Sequence, residues 1–123
     1  MGYLAVALGG AAGAMLRYGL SGWVQGAGGF GFPFGTLTVN VIGSFIIGLI
    51  LQWSTDRFMF SPEVRLLITT GFCGGLTTFS TFSYETLRLL EGQQWLLALA
   101  NIALNVALCL AAVVAGVWVA RVV

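Results

Sequence analysis

Residues 69–85 read TTGFCGGLTTFSTFSYE, which places three glycines, seven Ser/Thr and three phenylalanines in the third apolar segment of the chain. Hydrocarbon offers no water to solvate freed peptide groups, so a Gly-rich, hydroxyl-rich interruption at membrane depth is tolerable only where protein or a water-filled path surrounds it. A purely structural membrane helix would read as Leu, Val and Ala throughout. The third span is therefore expected to break near its middle, and function is to be sought there.

The rest of the chain sets that stretch in lipid. Of 123 residues, 59% are hydrophobic and 7% charged, more apolar material than a soluble domain of this size buries in one core. The fold class that follows is an all-α integral membrane protein. Five Arg against four acids give a net charge of +1, with no His, so there is no basic footprint for nucleic acid. With no Lys, no nucleophile–base pairing and no metal-ligand cluster, the sequence gives an enzyme reading nothing to stand on. Cys73 and Cys109 lie inside apolar segments without metal-ligand spacing or a disulfide framework, and read as small packing residues. The N-terminus lacks a basic region, a short apolar core and a small-residue cleavage site in succession, so the first segment is expected to stay in the mature protein.

Four apolar stretches reach spanning length, at about 3–24, 34–53, 62–90 and 93–120, because roughly 20 residues cover the hydrocarbon core. One four-helix transmembrane domain over 1–123 accounts for the whole chain. The first break, Gln25 to Pro33, is Gly-rich and uncharged, and Pro33 suits a helix start. The second, Ser54 to Ser61, leads into Ser61-Pro62-Glu63, which reads as an N-cap, a first-turn proline and an acid favourably placed against the helix dipole. The third, around Glu91-Gly92-Gln93, is short, so the last two helices should be antiparallel neighbours. With four spans, Arg57, Arg65 and Arg121 fall on the side of both termini and Arg88 on the other. That is a weak orientation signal, so insertion in both orientations is expected. An antiparallel dimer then becomes available to a bundle too thin to enclose a pore alone. Gly9/Gly13 and Gly10/Ala14 offer faces for close helix approach, within one subunit or between two.

Several polar groups lie at membrane depth. Arg17 is about 21 Å along the first helix from Tyr3. A guanidinium there costs about 3 kcal/mol even on a lenient insertion scale, so it should face protein, water or carbonyls. It either snorkels toward the following loop or lines an electropositive vestibule that attracts anions. In the second span Thr36 and Asn40 share a face at i, i+4. Asn40 offers two uncharged N–H donors, suited to an anion that must be held and released, or to hydrogen bonding between helices. Asn101, Asn105 and Cys109 recur every fourth residue on the fourth span, a polar stripe that faces the bundle, toward a pore or a neighbouring helix.

In the third span Phe79 and Phe82 lie on one side, interleaved with Ser80, Thr81, Ser83 and Glu85. Gly71, Gly74 and Gly75 just upstream favour a helix break, since each costs about 1 kcal/mol relative to Ala in a helix interior. A break frees carbonyls that could bind a cation. The positive ring edge of a phenyl group can stabilise an anion without supplying a full charge.

Gly9-Gly10-Ala11-Ala12-Gly13-Ala14-Met15-Leu16-Arg17-Tyr18, Phe34-Gly35-Thr36-Leu37-Thr38-Val39-Asn40 and Gly71-Phe72-Cys73-Gly74-Gly75-Leu76-Thr77-Thr78-Phe79-Ser80-Thr81-Phe82-Ser83, in this order and spacing, resemble the Fluc-type (CrcB) fluoride channels over essentially the whole chain. The resemblance implies a dual-topology, antiparallel homodimer with two pores in the inner (plasma) membrane of a microbe, exporting fluoride passively. It also implies that Phe79 and Phe82 form the pore's phenylalanine box, that Asn40 is the pore asparagine, and that Ser80, Thr81 and Glu85 belong to its polar track. Gly74 and Thr77 would give backbone carbonyls to a central Na⁺, and Arg17 would be the vestibule arginine. Cys109 stands where the family's pattern has a pore serine, and Val113 where a threonine is common; a thiol is the poorer donor.

Two other classes compete with this reading. A small four-span proton-coupled multidrug exporter shares the length and charge balance, but needs a titratable carboxylate within the membrane. The first two spans contain no acid, and Glu85 lies near the end of the third. A noncatalytic assembly subunit gives no reason for a glycine break beside a Ser/Thr–Phe ladder.

Overall fold

The computed structural model describes residues 1–29 and 31–123; Phe30, inside the first expected break, lies outside the described residues. The described residues form helices and short connections, with no strand. Helix α1 is Gly2–Gly28, α2 Phe34–Arg57 and α6 Trp95–Val122. These three are long and apolar enough to cross a membrane. The third apolar stretch is divided. It comprises α3 (Pro62–Leu66), a π-helical stretch Leu67–Cys73, α4 (Gly74–Leu76) and α5 (Phe79–Glu91).

The start of α3 follows the sequence reading: the Val64 N–H donates to Ser61 Oγ at 3.3 Å, Pro62 occupies the first turn and Glu63 follows it. The C-terminal ends of α1 and α2 run longer than expected. Helix α1 continues to Gly28, and the Gln25 side chain ties its end to α2, donating to the Phe32 carbonyl at 2.8 Å and accepting from the Gly35 N–H at 3.1 Å. Helix α2 continues to Arg57, where Gln52 donates to Asp56 one turn on and the Trp53 indole N–H donates to the Ala120 carbonyl. At the Glu91–Gln94 turn Gln93 adopts φ 61°, and α5 and α6 pack on each other, as the short connection requires. The principal partner of α6, however, is α2.

Glycines set two close parallel contacts. In the first, α1 lies against the π-helical stretch and α4: a Cβ at Gly9 would strike the Leu67 carbonyl, one at Gly13 the Phe72 carbonyl, and one at Gly75 the Gly10 carbonyl. In the second, Gly48 of α2 meets the Val113 carbonyl, and Gly116 of α6 meets the Phe45 carbonyl. In lipid there is little hydrophobic drive between helices, so such backbone proximity is how van der Waals packing is gained. Gly9 and Gly13 are therefore used within one chain. The break also differs in place from the glycines that announced it. Gly74 is helical, with φ −62° and ψ −37°. The extended residues are Thr77 (ψ 156°) and Thr78 (φ −151°, ψ 118°), whose β-branches favour that conformation.

Gly13→Ala should lower thermal stability in detergent by about 1–3 kcal/mol through the forced backbone shift. Gly19→Ala, with open space around it, should be neutral or slightly stabilising, since Ala is the better helix former. Equal melting of the two variants would contradict the packing just described.

Candidate functional site: the helix break and the groove beside it

At the break the Thr78 peptide is held by one side chain. Its N–H donates to Asn40 Oδ1 at 2.8 Å, and its carbonyl accepts from Asn40 Nδ2 at 3.2 Å. A backbone N–H can only donate and a carbonyl can only accept, so this pair of bonds fixes which way the amide points. Because the Thr78 N–H turns to Asn40, it does not return to the Gly74 carbonyl, its partner in a continuous helix. Downstream, Thr78 caps α5: Oγ1 accepts from the Thr81 N–H at 3.2 Å and donates to Thr81 Oγ1 at 3.0 Å. The Thr81 hydroxyl proton has no acceptor among the described residues.

Asn40 also donates to Asn105 Oδ1 at 3.1 Å. Asn105 donates to Asn101 Oδ1 at 3.0 Å and to its carbonyl at 2.9 Å. Asn101, fully buried, donates to Thr86 Oγ1 at 2.9 Å, and Thr86 donates to the Phe82 carbonyl at 2.8 Å. The polar stripe of α6 thus divides. Asn101 and Asn105 bond to neighbouring helices, while Cys109, half-buried, faces a groove. In the single chain both Asn40 N–H groups are engaged, one by Thr78 and one by Asn105.

The groove, of about 600 Å³, is open on one side and runs past Asn40, Asn105, Cys109, Gly74, Thr77, Phe79 and Phe82. Phe82 is 9% exposed and Phe79 78% exposed, with ring centroids 5.4 Å apart and planes tilted by 51°, inside the range of favourable aromatic pairs. Thr77 reaches this wall because Gly43 of α2 leaves room for its methyl group. Cys73 is buried on the same wall as a free thiol, in keeping with a packing role.

Arg17 lies elsewhere, in a second cleft of about 270 Å³ beside Tyr18, Ser21, Thr36, Thr78 and Thr81. It therefore faces protein, and its Nε is buried with no hydrogen-bond partner among the described residues. The Glu85 carboxyl is half-buried and faces the Thr36 hydroxyl; its Oε1 is likewise buried and unpartnered among the described residues. Ser80 is exposed at the start of α5, with Oγ 3.3 Å from Thr78 Oγ1. The structure thus brings Asn40, Gly74, Thr77, Phe79, Phe82 and Cys109 to one groove. Thr81 joins Arg17 in the second cleft, on the other side of the break.

Sequence reasoning missed Thr78 and Thr86. A signal for Thr78 existed: a Thr followed three residues later by another hydroxyl residue, after a glycine cluster, is a reasonable helix start. Nothing in the spacing marked Thr86, whose hydroxyl matters only because Asn101 arrives opposite it.

The CrcB-like protein, Camphor Resistance (CrcB) family model matches residues 4–117. The chain belongs to the CrcB family. It is 52% identical to a protein of Geobacter metallireducens named "Fluoride-specific ion channel FluC", over 96% of this chain and 95% of that one. It is 51% identical to proteins of the same name from Sorangium cellulosum, over 94% and 91%, and Geobacter sulfurreducens, over 96% and 95%. These names are those of channels, and lend no support to the exporter reading.

Asn40→Leu should leave the Thr78 N–H, the Thr78 carbonyl and the Asn105 side-chain Oδ1 without their partner. Each such buried group costs about 1–3 kcal/mol. A clear fall in the melting temperature of the purified protein is expected, and wild-type melting would show that Asn40 does not hold the break.

Proposed function

We propose that the protein is a fluoride-selective channel that lets fluoride leave the cytoplasm passively through two pores formed between antiparallel copies. It would thereby protect a microbial cell whose plasma (inner) membrane it occupies. The observation that carries this reading is the open groove at the helix break, where Phe79 projects a largely exposed ring beside hydroxyl and amide groups, in a chain about half identical to proteins named for fluoride conduction. A wall open to the outside needs a second wall, and a second copy in the opposite orientation supplies the same residues across it.

Fluoride is small and strongly hydrated, so a pore must replace its water with closely placed donors, while fixed positive charge at the constriction would trap it. Neutral Ser80 and Thr81 and the ring edges of Phe79 and Phe82 meet that demand. Thr81 has a hydroxyl proton to give, and Asn40 holds the backbone from which these groups project. Arg17, in its separate cleft, would draw anions toward the membrane without binding them in the narrow part. Glu85 would mark the far end of the polar track, and Cys109 would contribute a weakly polar thiol to it.

A structural Na⁺ fits the break. The Gly74 carbonyl has lost its helical donor, the Thr77 carbonyl belongs to an extended residue, and both residues line the groove. Two carbonyls from each of two copies form a neutral oxygen set suited to a hard cation. When bound, the ion would supply an electrostatic tie between the two copies.

Phe79→Ile and Phe82→Ile should each suppress fluoride efflux from proteoliposomes while leaving dimer assembly intact; unchanged flux in both would remove the phenylalanines from the pore. Complete replacement of Na⁺ by a larger organic cation should lower activity. Indifference to Na⁺ would count against Gly74 and Thr77 as its site.

A further inference from the structure

The hydrogen bonds that begin at the break form a closed circuit. They leave the start of α5 at Thr78, pass through Asn40 on α2, then Asn105 and Asn101 on α6, and return to α5 at Thr86, which donates to the Phe82 carbonyl. From Asn40 onward every side-chain bond on this path donates in the same direction, while Asn40 both accepts from Thr78 and donates back to it. Asn40 gives to Asn105, Asn105 to Asn101, Asn101 to Thr86, and Thr86 to Phe82. The Thr78 peptide dictates the orientation of Asn40, so each following amide has one orientation open to it. Reversing any amide would set two donors or two acceptors face to face. Low dielectric strengthens such a chain, and each bond polarises the next.

We infer that Thr86 and Asn101, which neither line the groove nor lie at the break, are positioning residues for fluoride passage: through Asn105 and Asn40 they hold Thr78 and fix the rotation of the α5 turns that carry Phe79 and Phe82. The inference rests on the fluoride-channel reading and adds two residues to it. Thr86 is about 12 Å along the helix axis from Thr78, and is buried, so it acts only through the side chains between. Three helices meet in the circuit, yet the contacts of α5 with α2 and α6 are sparse beside those of α2 with α6. Directional bonds therefore do for α5 what close packing does for the other helices. Asn101 and Asn105 stand one turn apart, so the circuit meets α6 along a single face.

The test uses Thr86→Val, which keeps the branched shape without the hydroxyl, Asn101→Leu, and Thr86→Ser, which keeps the hydroxyl. Two quantities are read: single-channel fluoride current in planar bilayers, and hydrogen exchange of the Thr78 amide by NMR in detergent. Thr86→Val and Asn101→Leu should each lower the current and speed the exchange by about tenfold, the size of one lost hydrogen bond, while Thr86→Ser stays near the parent. Loss of folded protein alone would reduce the number of channels and leave the current through each unchanged. An unchanged current overturns the inference, whether or not exchange changes. So does a Thr86→Ser variant as impaired as Thr86→Val. Should Asn101→Leu fail to fold, the two Thr86 variants decide the matter. If the unsubstituted protein carries no fluoride, the functional reading has failed, and Thr78 exchange still decides whether Thr86 and Asn101 hold the break.

Discussion

Backbone groups released from a helix at membrane depth must find partners in protein, and in this chain the N–H and the C=O of Thr78 both find theirs on the side-chain amide of Asn40. Much else follows from that pairing. With its N–H turned to Asn40, Thr78 no longer serves the Gly74 carbonyl, and its own hydroxyl becomes the cap from which α5 starts. The Phe79 and Phe82 rings are aimed by a helix that begins at Thr78, whose backbone is fixed by a neighbouring helix. A free amide at position 40 would serve an anion more directly, but the break would then lack its partner.

The glycines do a different job from the one their number suggests. Gly9, Gly13 and Gly75 bring α1 and the third segment close enough for backbone to meet backbone, and Gly48 with Gly116 does the same for α2 and α6. Both pairs run parallel, which leaves α5 as the element held mainly by polar contacts. A rigid frame of four close-packed segments thus carries one hydrogen-bonded segment that bears the aromatic pair. That division separates the residues that build the bundle from those that line the groove.

Much of this was legible in the sequence because lipid makes polar residues conspicuous. Three spans, the start of α3 at Ser61-Pro62 and the break in the third segment all follow from hydropathy and capping chemistry. The polar stripe on α6 was also visible, though spacing could not say which neighbour it met; that depends on α2 and α6 running parallel in close contact. The break is legible near the middle of the third segment, and its extended residues lie just downstream of the glycines that favour it. Gly71, Gly74 and Gly75 lower the cost of leaving the helix, but Gly71 and Gly75 are committed to packing on α1. The extended backbone passed instead to Thr77 and Thr78, where Asn40 could reach it. The ends of α1 and α2 lie beyond the expected ones because Gln25 and Trp53 extend them through side-chain bonds that appear only once the neighbouring segment is in place.

What decides between a fluoride channel and every competing reading of this bundle is the ion it passes and whether a proton goes with it. Purified protein in liposomes loaded with equal fluoride and chloride, with K⁺ and valinomycin to set the voltage and no proton gradient, gives both in one experiment. Rapid fluoride efflux that follows the imposed voltage, with chloride retained and no accompanying proton movement, is the predicted result. Chloride leaving as readily as fluoride, or fluoride leaving only in exchange for protons, would contradict it.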